Sequence, residues 1–73
     1  MKELEEMGEK LMEVRVRKDM SQAQAARFVG IVPPVWCRYE QGKQWPNSAS
    51  LVRICKAFGI SADYLLGLRD PEK

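Results

Sequence analysis

Residues 21–42 read SQAQAARFVGIVPPVWCRYEQG, and this stretch decides the fold. Ser21 followed three residues later by Gln24 has the spacing of a capping box, in which the two residues satisfy each other's backbone N–H at a helix start. A short helix is predicted from there to Val29, with Ala25, Phe28 and Val29 on one face and Gly30 in the left-handed position that closes many helices. Pro33-Pro34 would break a helix interior. In a first turn, however, backbone N–H groups have no intrahelical acceptor, so a further helix is predicted to begin at Pro33 or Pro34. Trp36 and Tyr39, with Val35, form its apolar stripe, and Gly42 ends it. Ala26 is small enough to let the two helices approach closely. The result is two short helices about a tight turn, an arrangement in which one helix braces another.

Working outward, Leu4, Met7, Leu11 and Val14 recur at helical spacing with Glu and Lys between them, predicting an amphipathic helix that ends near Lys18 or Asp19. Downstream, the turn-rich Lys43-Gln44-Trp45-Pro46 leads to Asn47, a good N-cap for a fourth helix carrying Leu51, Ile54, Cys55 and Phe58 and stopping at Gly59. Ser61 caps a fifth with Ala62, Tyr64, Leu65 and Leu66 on its apolar side. Asp63 in its first turn suits the positive end of the helix dipole. No run alternates with the period of a β-strand, so the fold class is all-α with five helices.

At 73 residues, 45% hydrophobic and 30% charged, the chain supports one domain with one core. A large enzyme fold with a deep cleft is excluded at this size. There is no histidine, no nucleophile paired with a base and no phosphate-cradling glycine loop, so no enzyme, cofactor or small-molecule ligand is expected. Cys37 and Cys55 are too few for a tetrahedral metal site and are read as free thiols, the alternative being a disulfide. No apolar segment reaches the roughly 20 residues that span a bilayer, and the acidic start does not resemble a signal peptide, so a cytoplasmic protein with no membrane partner is expected. The net charge of +2 is divided unevenly. Residues 1–13 hold two lysines against five glutamates (−3), and the remainder holds ten basic against five acidic residues (+5).

On Met20-Ser21-Gln22, Ala26, Gly30, Arg38-Tyr39-Glu40-Gln41-Gly42-Lys43, Pro46, Leu51, Ile54 and Gly59-Ile60-Ser61, the sequence resembles the lambda-repressor-like helix-turn-helix family. That family includes phage Cro-type and xenobiotic-response-element-type bacterial regulators. The resemblance covers about residues 7–68, which are taken as the core of a single 1–73 domain. The helix-turn-helix lies at 22–41, and 69–73 is either a tail or the start of a linker. It implies a five-helix DNA-binding domain, bacterial or phage-encoded, acting at the nucleoid as a homodimer on a palindromic double-stranded operator, with repression the expected role. Gly67, Leu68 and the last helix are candidates for the dimer contact.

Carried over position by position, the resemblance places Gln22 at a phosphate at the start of the second helix, with Lys43, Gln41 and Gln44 reaching the backbone from the end of the third. Pro33, Pro34, Val35 and Arg38 become the base-facing positions of the recognition helix. The first three depart from the family's usual polar residues and offer no side-chain hydrogen-bonding group, so they could only pack on a thymine methyl group. Arg38 is left to contact guanine, the alternative being a phosphate or a surface carboxylate. The resemblance also places Arg15 beside Glu40 as a partly buried structural ion pair. Ala25 stands where relatives usually carry leucine, so Phe28 is expected to swing in and refill the core, the alternative being an exposed ring. Trp36 is larger than the usual aliphatic and needs room from Ala25 or Ala26. Cys37 is expected to face outward. The competing function is a protein-interaction module that keeps the fold without base readout, for which Pro33-Pro34 is the main argument.

Overall fold

Met7, Leu11 and Val14 turn inward along one side of the first helix, and the rest of the fold is assembled on that stripe. The computed structural model describes residues 2–68. They form five α-helices: α1 (Lys2–Arg17), α2 (Gln22–Val29), α3 (Pro33–Glu40), α4 (Ser48–Phe58) and α5 (Ala62–Leu66). The architecture is all-helical, as the sequence predicts. No helix among the described residues is long and apolar enough to cross a membrane.

The helix boundaries follow local chemistry. Ser21 Oγ accepts the Gln24 N–H at 3.1 Å while Gln24 Oε1 accepts the Ser21 N–H at 2.8 Å, which completes the capping box of α2. Asn47 Oδ1 accepts the Ser50 N–H at 2.8 Å and Ser61 Oγ accepts the Tyr64 N–H at 3.1 Å, starting α4 and α5 in the same way. Helix α3 is different, because its N-cap Val32 has no side-chain acceptor and prolines fill the first two positions, removing two of the donors a cap would otherwise serve.

The core joins all five elements. Met7, Leu11, Ala25, Ala26, Trp36, Ile54 and Leu65 are fully buried and Tyr39 nearly so. Helix α1 packs on α3 and α5, α2 packs on α3 and α4, and α4 meets α5. The Trp36 ring lies 6.0 Å from Phe58 and 6.5 Å from Tyr39, centroid to centroid. Ala25 and Ala26 of α2 are buried in this cluster with the indole, consistent with small neighbours making room for it. Lys10 ties α5 to α1, donating to Tyr64 O at 2.7 Å with its ammonium 4.9 Å above the Tyr64 ring. A cation at these last carbonyls stabilises a helix as short as α5.

One expectation needs correction. Phe28 does not refill the core: it is 49% exposed and meets Phe58 edge-on at 5.6 Å, while the fully buried Trp36, 6.0 Å from Phe58, supplies the aromatic bulk of the core. Cys37 is half-buried.

Candidate nucleic-acid interface

The candidate interface is the outer side of α3 together with the turns at either end. Its inner side is fixed by Trp36 and Tyr39 in the core and by Glu40, whose side chain is only 3% exposed. Arg15 from α1 approaches the Glu40 carboxylate in a two-point contact, Nε to Oε2 at 2.6 Å and Nη2 to Oε1 at 3.1 Å, while Nη1 donates to Met20 O at 2.9 Å. The Trp36 indole N–H donates to Oε2 at 2.6 Å, and the Gln22 amide donates to Oε1 at 3.0 Å. One carboxylate thus gathers donors from α1, α2 and α3. Among the described residues, no buried side-chain nitrogen or oxygen lacks a partner, so this polar group sits in the interior without an orphaned atom.

Two of these contacts were not visible in the sequence reading. The Trp36–Glu40 bond spans i to i+4 on α3, a spacing that brings side chains together on any helix, and that could have suggested it. The Gln22 contact changes what that residue offers, since its side-chain amide turns inward to Glu40. One amide hydrogen remains beyond the bond to Glu40.

On the outer side, Pro33, Pro34 and Arg38 are exposed, whereas Val35 is half-buried against the core and presents less to a groove than its neighbours. The first turn of α3 offers no spare backbone donor in its first three residues. Pro33 and Pro34 have none, and the Val35 N–H is taken by Val32 O at 3.0 Å. This end of the helix is an apolar edge of Val32, Pro33 and Pro34.

One turn further along, Arg38 Nε donates to Gln44 Oε1 at 2.9 Å. Gln41 and Lys43 are exposed beside them. The chain reverses at Gly42 (φ 69°), where the Gly42 N–H donates to Tyr39 O and the Lys43 N–H donates to Arg38 O at 3.0 Å. At the other end, Gly30 (φ 88°) makes the turn between α2 and α3, and Arg53 Nη1 donates to its carbonyl at 3.1 Å. No group of three or more metal-ligating side chains forms among the described residues.

Gly8 is a further determinant of the site's geometry that the sequence reading did not single out. A Cβ there would lie 2.5 Å from Glu40 O and 2.7 Å from Tyr39 O, so α1 lies directly against the last carbonyls of α3. Glycine in a helix interior is unfavourable by about 1 kcal/mol relative to alanine, and its presence in the α1 pattern was the available signal of a close approach.

Comparison with known proteins agrees with this geometry. The protein-family model described as "Helix-turn-helix domain" matches residues 6–66. The chain is 37% identical over 59 residues to an SPbeta prophage-derived uncharacterized HTH-type transcriptional regulator, YonR, of Bacillus subtilis (strain 168), a match covering 81% of this chain and 55% of that protein. It is 34% identical over 66 residues to the uncharacterized HTH-type transcriptional regulator YqaE of the same organism, covering 90% of this chain and 57% of the relative. It is 36% identical over 61 residues to the HTH-type transcriptional activator BcrR of Enterococcus faecalis, covering 84% of this chain and 30% of the relative. The matches therefore span between about a third and somewhat over half of these relatives' own lengths. No solved structure matches the chain.

Proposed function

The chain belongs to the helix-turn-helix family of Cro and xenobiotic-response-element-type transcriptional regulators, and from that membership we propose that it binds double-stranded DNA sequence-specifically to regulate transcription. One observation carries the proposal: α3 is locked on its inner side by Trp36, Tyr39 and Glu40, and keeps Pro33, Pro34 and Arg38 exposed on its outer side. In this reading α3 enters the major groove. Its apolar first turn packs on thymine methyl groups, and Arg38 contacts guanine. Lys43, Gln41 and the start of α2 at Gln22 engage phosphates.

We further propose a single domain that acts as a homodimer on a palindrome with half-sites about 34 Å apart. Leu68, assigned to the contact between copies, is 73% exposed and so open to a partner. Repression is the role that needs least, because a bound dimer blocks its site by occupancy alone.

The test is enrichment from random duplex DNA at about 150 mM salt, with affinity then followed as salt rises. The expected result is a palindrome containing a guanine that Arg38→Ala no longer selects. The interaction-module alternative is favoured by one specific observation, the donor-free first turn of α3. It predicts weak, motif-free binding that disappears with salt.

A further inference from the structure

We propose that Gln44 is a positioning residue for base readout, holding the Arg38 guanidinium in the orientation in which it meets its base. This rests on the DNA-reading function above. The premise is that α3 has few hydrogen-bonding groups to offer a groove. Val32, Pro33, Pro34 and Val35 supply no polar side-chain atom, the two prolines have no N–H and the Val35 N–H is bonded to Val32 O, so within the exposed part of the helix the readout by side-chain hydrogen bonds falls on Arg38.

An exposed arginine has many rotamers, and fixing it at the moment of binding costs conformational entropy. Here the loop removes much of that freedom beforehand. The Lys43 N–H is bonded to the carbonyl of Arg38 itself, and the reversal at Gly42 brings the next residue but one, Gln44, alongside the arginine side chain. Gln44 Oε1 then accepts Arg38 Nε–H at 2.9 Å.

That bond also selects a geometry. A guanidinium can present two parallel donors to guanine either through Nε and one Nη or through both Nη groups, and with Nε occupied only the end-on pair remains. Gln44 is therefore expected to act on which base is preferred. A direct phosphate contact would act on affinity for every sequence alike.

The experiment uses the chain and the duplex it enriches, with each base pair substituted in turn, for wild type, Arg38→Ala, Gln44→Ala, Gln44→Glu and the Arg38→Ala/Gln44→Ala double variant. Circular dichroism confirms that all five fold. At the base pair where Arg38→Ala loses selectivity, Gln44→Ala is expected to reduce discrimination about tenfold with the salt slope unchanged, and to have no further effect in the Arg38→Ala background. Gln44→Glu keeps an acceptor for Nε–H and is expected to retain the discrimination while weakening all duplexes by its charge. Without DNA, the Arg38 Nε–H resonance is expected to exchange faster with water in Gln44→Ala than in wild type.

Uniform weakening of all duplexes by Gln44→Ala, with discrimination intact and a smaller salt slope, would overturn the proposal in favour of a phosphate contact. An equal effect of Gln44→Ala with and without Arg38 would overturn it as well. If wild type enriches a motif and Gln44→Ala keeps its selectivity, only the role of Gln44 falls. If wild type enriches no motif, the DNA-reading function falls and this inference with it.

Discussion

Glu40 accepts hydrogen bonds from three helices, and the consequence of removing it can be stated residue by residue. Glu40→Ala strips the acceptor from the largely buried Arg15 guanidinium and from the Trp36 indole N–H at once. Breaking a buried pair by deleting one partner costs about 3–5 kcal/mol, a large share of the roughly 5–15 kcal/mol that holds a domain folded. Urea unfolding should show that loss, and a midpoint equal to wild type would mean that the pair contributes nothing to stability. Asp19 offers the opposite change. Among the described residues it is the non-glycine residue with left-handed backbone (φ 58°), and it ends α1 with its N–H on Val16 O and that of Met20 on Arg15 O. Asp19→Gly relieves that conformation and should raise stability by about 0.5–1 kcal/mol, read as a higher denaturation midpoint.

At the scale of elements, what was legible in the sequence was whatever local chemistry decides. Ser21, Asn47 and Ser61 announce helix starts because their side chains cap backbone only three residues away, and Gly30, Gly42 and Gly59 announce ends for an equally local reason. The position of α3 between two prolines and Gly42 was legible for the same cause. Contacts between helices were legible only in part. The family resemblance paired Arg15 with Glu40, but no local rule turns Gln22 inward or leaves Phe28 at the surface. Each depends on how the helices pack, a property that one chain's spacing does not encode. Gly8 lies between the two cases, since a helix-interior glycine signals close approach without saying to what. Gly8→Ala improves helix propensity by about 1 kcal/mol yet drives a Cβ into two backbone carbonyls of α3, where overpacking costs about 1–3 kcal/mol. A net loss of stability is expected in urea titration, with the Arg15–Glu40 contact disturbed because α1 must move off the end of α3. A variant more stable than wild type would show that α1 does not lie so close.

Over the whole molecule, the net charge of +2 hides a conflict between the acidic residues 1–13 and the basic remainder. The fold brings the two together beside Gly42. A Cβ on Gly42 would lie 3.0 Å from Glu5 Cα and 3.3 Å from Glu5 Cγ, so the stem of this glutamate adjoins the loop that carries Lys43. If that loop engages phosphate, Lys43 attracts the DNA backbone and Glu5 opposes it across a short distance, both through sequence-independent electrostatics. Lys43→Ala should therefore weaken all duplexes by the same factor and reduce the slope of log K against log salt by about 1. Glu5→Gln should strengthen all duplexes equally, most strongly at about 50 mM salt and much less at about 200 mM, where the Debye length has shortened. Neither substitution should alter the enriched motif, because neither side chain is placed against a base. Measuring both variants on the selected duplex and on a scrambled one separates the possibilities. A change in the ratio between the two duplexes would place the loop at the bases, and a Glu5→Gln variant that binds like wild type at low salt would place the DNA backbone away from this corner of the molecule.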